Sequence, residues 1–248
     1  MSTTSLHTVP QEFSARSLQI GKAGWQHTNG IVRSFVASRK KYLIFKRGFD
    51  ILFSFLVIGA LLSWMIPLLA IMISVDSKGP VFFRQKRVGK KGKIFYCLKF
   101  RTMVPNEVAD EQPAAECDER ITKLGRILRR TNVDELPQFL NILKGDMSVV
   151  GPRPHMISDC IRYSFVIPSY QFRSMMRPGL TGWAQVNGFH GVVKDYESII
   201  IRYYWDAQYV RKAGWLLDLK IITNTFTKAG KNFISVLSHA EKSTFQRE

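Results

Sequence analysis

From Ile51 to Val75 the chain carries no charged side chain, and basic residues crowd both ends of the run: Arg39, Lys40, Lys41, Lys46 and Arg47 before it, Lys78, Arg84, Lys86 and Arg87 after it. About 20 apolar residues suffice to cross a bilayer, but Lys and Arg beside a span collect on its cytoplasmic side. Basic flanks at both ends ask for that side twice. A straight single-span anchor satisfies one flank. A segment that enters one leaflet, turns and leaves by the same face satisfies both, and the re-entrant arrangement is the expectation here. Pro67 lies well inside the run, where it removes a backbone donor and clashes with the carbonyl of Ser63, so a kink is expected there. The hydroxyls of Ser63 and Ser74 are placed to take up backbone groups freed by it.

The charge balance agrees with a membrane surface. There are 36 Lys and Arg against 19 Asp and Glu, a formal charge of +17, which attracts anionic lipid, nucleic acid and phosphorylated small molecules alike. The first 38 residues are mostly polar and hold no apolar core of signal-peptide length, so no cleavage and no export of the main domain are expected. Cys97, Cys117 and Cys160 are widely spaced with no CxxC pair, and read as reduced structural thiols. His7, His27, His155, His190 and His239 show no ligand spacing, which argues against a zinc site.

After Gly79-Pro80, Val81-Phe82-Phe83 and Ile94-Phe95-Tyr96-Cys97-Leu98 suggest two short strands joined by a glycine-containing hairpin turn from Val88 to Lys93. Their basic residues interleave with Phe82, Phe83, Phe95 and Phe100, a cationic ribbon with apolar teeth suited to lipid headgroups. A solvated hairpin rim is the plainer reading, and single-stranded nucleic acid the other active one. Residues 104–119 read as a loop. Ile121, Leu124, Ile127 and Leu128 then recur at helical spacing, with Arg126, Arg129 and Arg130 toward the helix end and Thr131-Asn132 closing it. Leu136, Phe139, Leu140 and Leu143 mark a second helix stopped by Gly145.

The start of that second helix holds the chemistry. Asp134 and Glu135 precede Pro137, a residue tolerated only in a first helical turn, so both carboxylates fall at the helix N-terminus. An Asp-Glu pair there is ordinarily a cap. The cationic surroundings change the balance: Arg126, Arg129 and Arg130 stand upstream, and Gly151-Pro152-Arg153-Pro154 follows, with prolines stiffening the backbone around one Arg. A fixed guanidinium suits bidentate phosphate recognition. Adjacent carboxylates can share Mg²⁺ with a diphosphate, and an ionised Asp can act as nucleophile in phosphoryl transfer.

Taken together, Lys46 to Asp50 (KRGFD), Gly79 to Gly89 (GPVFFRQKRVG), Lys99 to Met103 (KFRTM), Leu124 to Pro154, Arg177 to Gly188 (RPGLTGWAQVNG) and Asp218 to Thr225 (DLKIITNT) resemble, in order and over most of residues 42–230, the bacterial sugar transferases that are monotopic phosphoglycosyl transferases acting on a polyprenyl phosphate. The resemblance implies a re-entrant membrane helix, a cytosolic catalytic face, Mg²⁺ and a nucleotide diphosphate sugar as donor. Carried over by residue, it makes Asp134 the nucleophile on the sugar-bearing phosphorus, with UMP expelled, and Glu135 the metal partner. Arg153 and Pro154 match the donor-binding segment. Arg177 and Thr181 complete the pocket, while Arg47 and Asp50 join Ser63 and Pro67 at the membrane hinge, where an Asp beside an apolar run needs a partner.

The expected fold is α+β and mainly helical: a polar tail over 1–40, a re-entrant kinked helix over 41–76, a cytosolic transferase domain over 77–230 and a C-terminal tail over 231–248. The expected reaction moves a sugar 1-phosphate, a hexose such as glucose or galactose, from a UDP-sugar to undecaprenyl phosphate at the cytosolic face of a bacterial inner membrane. It would begin assembly of an exopolysaccharide or other surface glycan. The alternatives are a lipid-carrier glycosyltransferase that releases UDP and a membrane-tethered basic nucleic-acid binder. The partners expected are the UDP-sugar, undecaprenyl phosphate and an anionic bilayer, with no nucleic acid, and with a homo-oligomer left open. Three features depart from the family pattern. Phe189-His190-Gly191 stands where many relatives have an Arg after Asn-Gly; Pro67 follows Ile66, whereas the compact members have a Ser-Pro pair; and a polar tail stands where longer members carry spanning helices. Tyr203, Tyr204, Trp205 and Trp215 read as packing residues, with 203–205 a candidate contact with headgroups.

Overall fold

The computed structural model describes residues 39–105, 118–189, 191 and 195–245, with side chains as far as residue 232. Backbone proximity divides the chain into Met1–Lys40 and Lys41–Glu248. Most of the expected polar tail, Cys117, His190 and most of the 104–119 loop lie outside the described residues. The elements are α1 (Lys40–Val57), a π turn (Ile58–Leu62), α2 (Ser63–Asp76), β1 (Phe82–Val88), β2 (Ile94–Phe100), α3 (Lys123–Thr131), α4 (Gln138–Lys144), β3 (Ser148–Val150), α5 (Ile157–Val166), β4 (Gly179–Thr181), α6 (Trp183–Val186), α7 (Tyr196–Lys212) and α8 (Trp215–Phe245). The fold is mainly helical. Its two small sheets are an antiparallel β1-β2 hairpin and a parallel β3-β4 pair. Helix α8 runs unbroken past residue 230, where the sequence suggested a boundary.

The apolar run forms one helix of 37 residues, Lys40–Asp76. Its departure from α geometry is the π turn, which ends just before Ser63, the residue whose carbonyl Pro67 cannot serve. The proline removes that donor and crowds the carbonyl, and the widened turn upstream absorbs the strain. Two side chains take up carbonyls of that turn: Ser63 Oγ donates to Gly59 O at 2.7 Å and Trp64 Nε1 to Ala60 O at 3.0 Å. Ser74 makes no such bond among the described residues.

One face of this helix is buried in the protein along its whole length, through Lys46, Asp50, Ser54, Leu62, Leu69 and Ile73. The spacing is that of a single helical stripe. Outside the stripe, Leu52, Phe55, Leu56, Trp64, Leu68 and Ile71 are exposed. The polar members of the stripe have dedicated partners. Asp50 accepts from Ser148 Oγ at 3.0 Å and from the Val149 N–H at 2.9 Å. Lys46 reaches Asp218 of α8 at 2.7 Å, and Asp218 also accepts from Tyr42 and Tyr209. Arg47 donates to the carbonyls of Ile142 and Leu143, satisfying the end of α4. At the other end, Leu69 and Ile73 pack with Phe100 and Leu128, and Arg101 donates to the carbonyls of Ile73 and Ser77.

The hairpin forms as its turn chemistry requires, with Lys91 and Gly92 at positive φ and Phe82 paired to Phe100. Burial divides the aromatic teeth: Phe95 and Phe100 are core, Phe82 stacks on its cross-strand partner Phe100 while staying partly exposed, and Ile94 and Tyr96 are exposed on the face that carries Arg84. Helix α3 is capped by Thr122 and ended by left-handed Asn132. Gly125 lets it press on the chain at Thr102, since a Cβ there would stand 2.1 Å from the Thr102 oxygen. The aromatic run divides too: Tyr203 stacks on Tyr170 and Trp205 packs on Trp183, leaving Tyr204 exposed.

The buried Lys46–Asp218 pair ties α1 to α8. Asp218→Ala strands a buried ammonium and is expected to cost about 3–5 kcal/mol, since breaking one side of such a pair is far worse than replacing both. A Lys46→Met, Asp218→Leu double variant is expected to recover a large part of that loss, read as melting temperature in detergent. A double variant less stable than Asp218→Ala would contradict it.

Candidate active site

Asp134 and Glu135 occupy a 3-10 turn, Val133–Glu135, between α3 and α4. Neither caps α4: the residue at the cap position is Pro137, and no side-chain cap bond is made there. The two carboxylates have opposite surroundings. Glu135 accepts from Lys99 Nζ at 2.6 Å and from both terminal nitrogens of Arg153, at 2.7 and 3.2 Å. Burial alone would raise its pKa, but the charges and hydrogen bonds of Arg153 and Lys99 hold it well below the usual carboxylate range. Asp134, 7% exposed, makes no hydrogen bond through its carboxylate among the described residues. Burial pushes it up to about 6, with Lys99 opposing the rise and Glu135 adding to it. One carboxylate is locked and the other is free.

The parts around the dyad are fixed from behind. Arg173, ion-paired with buried Asp206 at 2.8 Å, donates to the Arg153 carbonyl, and Arg87 donates to the Pro154 carbonyl at 3.2 Å. The GPRP segment also packs backbone to backbone on the RPGLTG segment. A Cβ on Gly151 would stand 2.3 Å from the Arg177 oxygen, and one on Gly179 would stand 2.1 Å from Gly151 N. Those motif glycines serve close approach. The guanidinium of Arg153 is therefore presented from a rigid support, as the flanking prolines suggested.

A cavity of about 1460 Å³ opens onto the dyad. Asp134, Glu135, Lys99, Arg153, Arg126, Arg129, Arg130 and Thr181 line it, and Phe53, Val57 and Leu61 of the apolar helix form part of its wall. Arg129 is steered by Thr102 Oγ1 at 2.8 Å, and Thr181 is bonded to Thr225 at 2.7 Å. Pro154 is buried behind the wall. Arg177 is elsewhere: its Nε donates to the Gly145 carbonyl at 2.9 Å, beside Arg47, and it lines a separate small pocket with Arg47 and Asp50. The structure thus brings together every expected pocket residue except Arg177, which lies beside Arg47 and Asp50, and Pro154, which supports the wall; Arg47 and Asp50 in turn stand on α1, apart from Ser63 and Pro67. Lys99, the second cation on Glu135, was missed. It stands in the KFRTM segment on β2, and only the folded hairpin carries it to the dyad.

The donor set suits Mg²⁺ of the kind that keeps waters and phosphate oxygens as most of its shell. Asp134 offers two unshared oxygens, and Glu135 Oε2 keeps a lone pair beyond its single bond to Arg153. Among the described residues no third Asp, Glu, His or Cys completes an all-protein cage. Both described thiols, buried Cys97 and half-buried Cys160, are free, and burial pushes Cys160 up to about 11.

A carboxyl whose pKa is raised on folding destabilises the protein as pH climbs from its unfolded value near 4 to about 6. Asp134→Asn removes that cost. Its melting temperature is expected to exceed that of the wild type at pH 7, and the difference to vanish at pH 4 and below. A variant less stable at neutral pH would return Asp134 to a structural role.

Residues 41–232 match the family described as bacterial sugar transferase. The chain is 40% identical over 191 residues to the UDP-glucose:undecaprenyl-phosphate glucose-1-phosphate transferase of Escherichia coli (strain K12), covering 76% of this chain and 41% of that protein. It is 40% identical over 185 residues to the UDP-N-acetylgalactosamine-undecaprenyl-phosphate N-acetylgalactosaminephosphotransferase of Aeromonas hydrophila, covering 74% and 43%. It is 42% identical over 199 residues to the exopolysaccharide production protein PSS of Rhizobium leguminosarum bv. phaseoli, covering 77% and 99%. The chain thus spans about two fifths of the length of the first two relatives and nearly all of the third. With the matched segment running from the first helix through the dyad and into α8, the chain belongs to the bacterial sugar transferase family.

Proposed function

We propose that this chain transfers a sugar 1-phosphate from a UDP-sugar to undecaprenyl phosphate, as the opening step of exopolysaccharide or other surface-glycan assembly. The observation that carries the reading is the unequal dyad: a buried Asp134 with no hydrogen bond on its carboxylate among the described residues, ionised above pH about 6, beside a Glu135 that holds Arg153 and Lys99 against it. The names of the relatives supply the substrate classes, with glucose as the first sugar to try.

In this reading an oxygen of Asp134 attacks the sugar-bearing phosphorus. The bond from that phosphorus to the bridging oxygen breaks, and UMP leaves with the electron pair. An oxygen of undecaprenyl phosphate then attacks the aspartyl phosphosugar, and the Asp134 carboxylate is released. Arg153 and Lys99 place positive charge where the phosphoryl oxygens gather it, with Arg129 and Arg130 on the same cavity wall. Mg²⁺, when bound at Asp134 and Glu135, supplies charge neutralisation on the diphosphate.

Membrane placement follows the buried stripe. No stretch of the apolar helix near 20 residues is free of the domain: Asp50, Ser54, Leu62, Leu69 and Ile73 are buried in turn. Both ends meet the catalytic domain, which supports a monotopic, re-entrant helix whose exposed apolar faces enter one leaflet, with the cavity at the cytosolic surface of the inner membrane.

Asp134→Asn is expected to abolish exchange of labelled UMP into UDP-glucose, a half-reaction that needs no lipid, while the protein stays membrane-bound. Retention of exchange would eliminate the covalent route. Release of UDP, with no UMP, would favour a lipid-carrier glycosyltransferase. Arg153→Lys exchanges a planar fork for a point charge and is expected to lower kcat/KM for the donor by roughly 100-fold, about 2.7 kcal/mol.

A further inference from the structure

The lining of the cavity also holds polar groups that the transfer steps leave unused. His155, 4% exposed, lines it. Its ring is fixed between Tyr163, edge-on at 5.8 Å, and Tyr170, stacked at 6.1 Å, and Nδ1 is hydrogen-bonded with the Tyr170 hydroxyl. Nε2 is buried and has no partner among the described residues. Arg202, 8% exposed, lines the same cavity from α7. One terminal nitrogen donates to the Gly191 carbonyl at 3.1 Å, and its Nε–H has no partner among the described residues either. A buried hydrogen-bonding group left without a partner is costly, and His155 and Arg202 add two such atoms to a wall that also carries the unpartnered Arg101 Nε and Nη1 and Gln185 Oε1 among the described residues, so the cavity calls for an external partner.

The chemistry of these groups narrows the partner. Burial, with Arg173, Arg202, Arg87 and Arg153 around it, holds His155 well below its ordinary pKa, so the ring is neutral and its free nitrogen is a single uncharged position. Arg202 adds a guanidinium whose Nε–H is unshared among the described residues, and the Asp159 carboxylate lines the same cavity. Isolated single donors and acceptors match hydroxyls, each of which donates once and accepts twice. The Asp159 carboxylate opposes a phosphate there and can accept from a hydroxyl.

We propose that His155 and Arg202 form a subsite for the vicinal hydroxyls of a sugar ring in the donor, a proposal that rests on the transferase reading above. The ring is either the transferred hexose or the ribose of the nucleotide; the hydroxyl chemistry is common to both. His155 contacts substrate there through Nε2, and Tyr170 holds the imidazole in place.

Two substitutions separate this role from packing. Asn places its amide near Nδ1, so His155→Asn keeps a partner for Tyr170 and deletes the cavity group. Gln reaches toward Nε2, so His155→Gln keeps the cavity group. In the full chain purified in detergent, His155→Asn is expected to weaken UDP-glucose binding and raise KM roughly tenfold, the equivalent of one hydrogen bond, with His155→Gln recovering much of it. A loss confined to UDP-glucose, with UMP affinity unchanged, assigns the hexose. A loss shared with UMP but not with 2′-deoxy-UMP assigns the ribose. Wild-type affinity and KM in His155→Asn would overturn the proposal, as would equal losses in both variants accompanied by equal falls in melting temperature. Wild-type protein that neither binds nor turns over UDP-glucose or other UDP-sugars would refute the transferase reading, and this one with it.

Discussion

Asp50 is a carboxylate set into the first turns of an apolar helix, and the two bonds it accepts from β3 fix where that helix lies. A charge at that place is costly unless it is paired inside protein. Satisfying it draws α1 onto the Ser148–Val150 strand, while Lys46 does the same against Asp218 of α8 and Arg47 against the end of α4. At the far end the tie is apolar, through Leu69 and Ile73, reinforced by Arg101 on the last carbonyls. The apolar helix is therefore a structural member of the domain that carries the dyad. Strand β3 runs directly into the Gly151–Pro154 segment, so the contact that seats the helix also seats Arg153.

The dyad gains its asymmetry from the same construction. Arg153 arrives from the β3 end and Lys99 from the hairpin, and both meet on Glu135. With its neighbour neutralised in this way, Asp134 stays buried without a hydrogen-bonding partner for its carboxylate among the described residues, a condition that raises its pKa and leaves its oxygens unengaged. A cap would have spent those oxygens on backbone N–H groups. Instead Pro137 takes the cap position and offers no side-chain oxygen.

How much of this could be read in advance varies with the range of the interaction. The hairpin, α3 with its Asn132 stop, and the dyad before Pro137 follow from local signals, and each is present. The distinction between Asp134 and Glu135 depends on Lys99 and Arg153, 36 and 18 residues away from Glu135, and no local pattern carries it. Arg177 shows the same limit. Its place in a shared motif suggested the pocket, but its guanidinium donates to the Gly145 carbonyl beside Arg47. The kink was expected at Pro67; the distortion appears as a π turn upstream, because the backbone yields on the side of the carbonyl that the proline crowds. His155 carried no spacing signal, and its free nitrogen is visible only once Tyr170 has claimed the other.

The account stands on both ends of the apolar helix lying on one side of the bilayer. The direct measurement is labelling of Lys41→Cys and Lys78→Cys, each on a background in which Cys97, Cys117 and Cys160 are replaced by Ser, with a membrane-impermeant maleimide in intact and permeabilised cells. Both positions are expected to stay unlabelled until permeabilisation exposes the cytosol. Labelling of one position in intact cells with the other still protected would put the two ends on opposite sides, and the helix would then be a span.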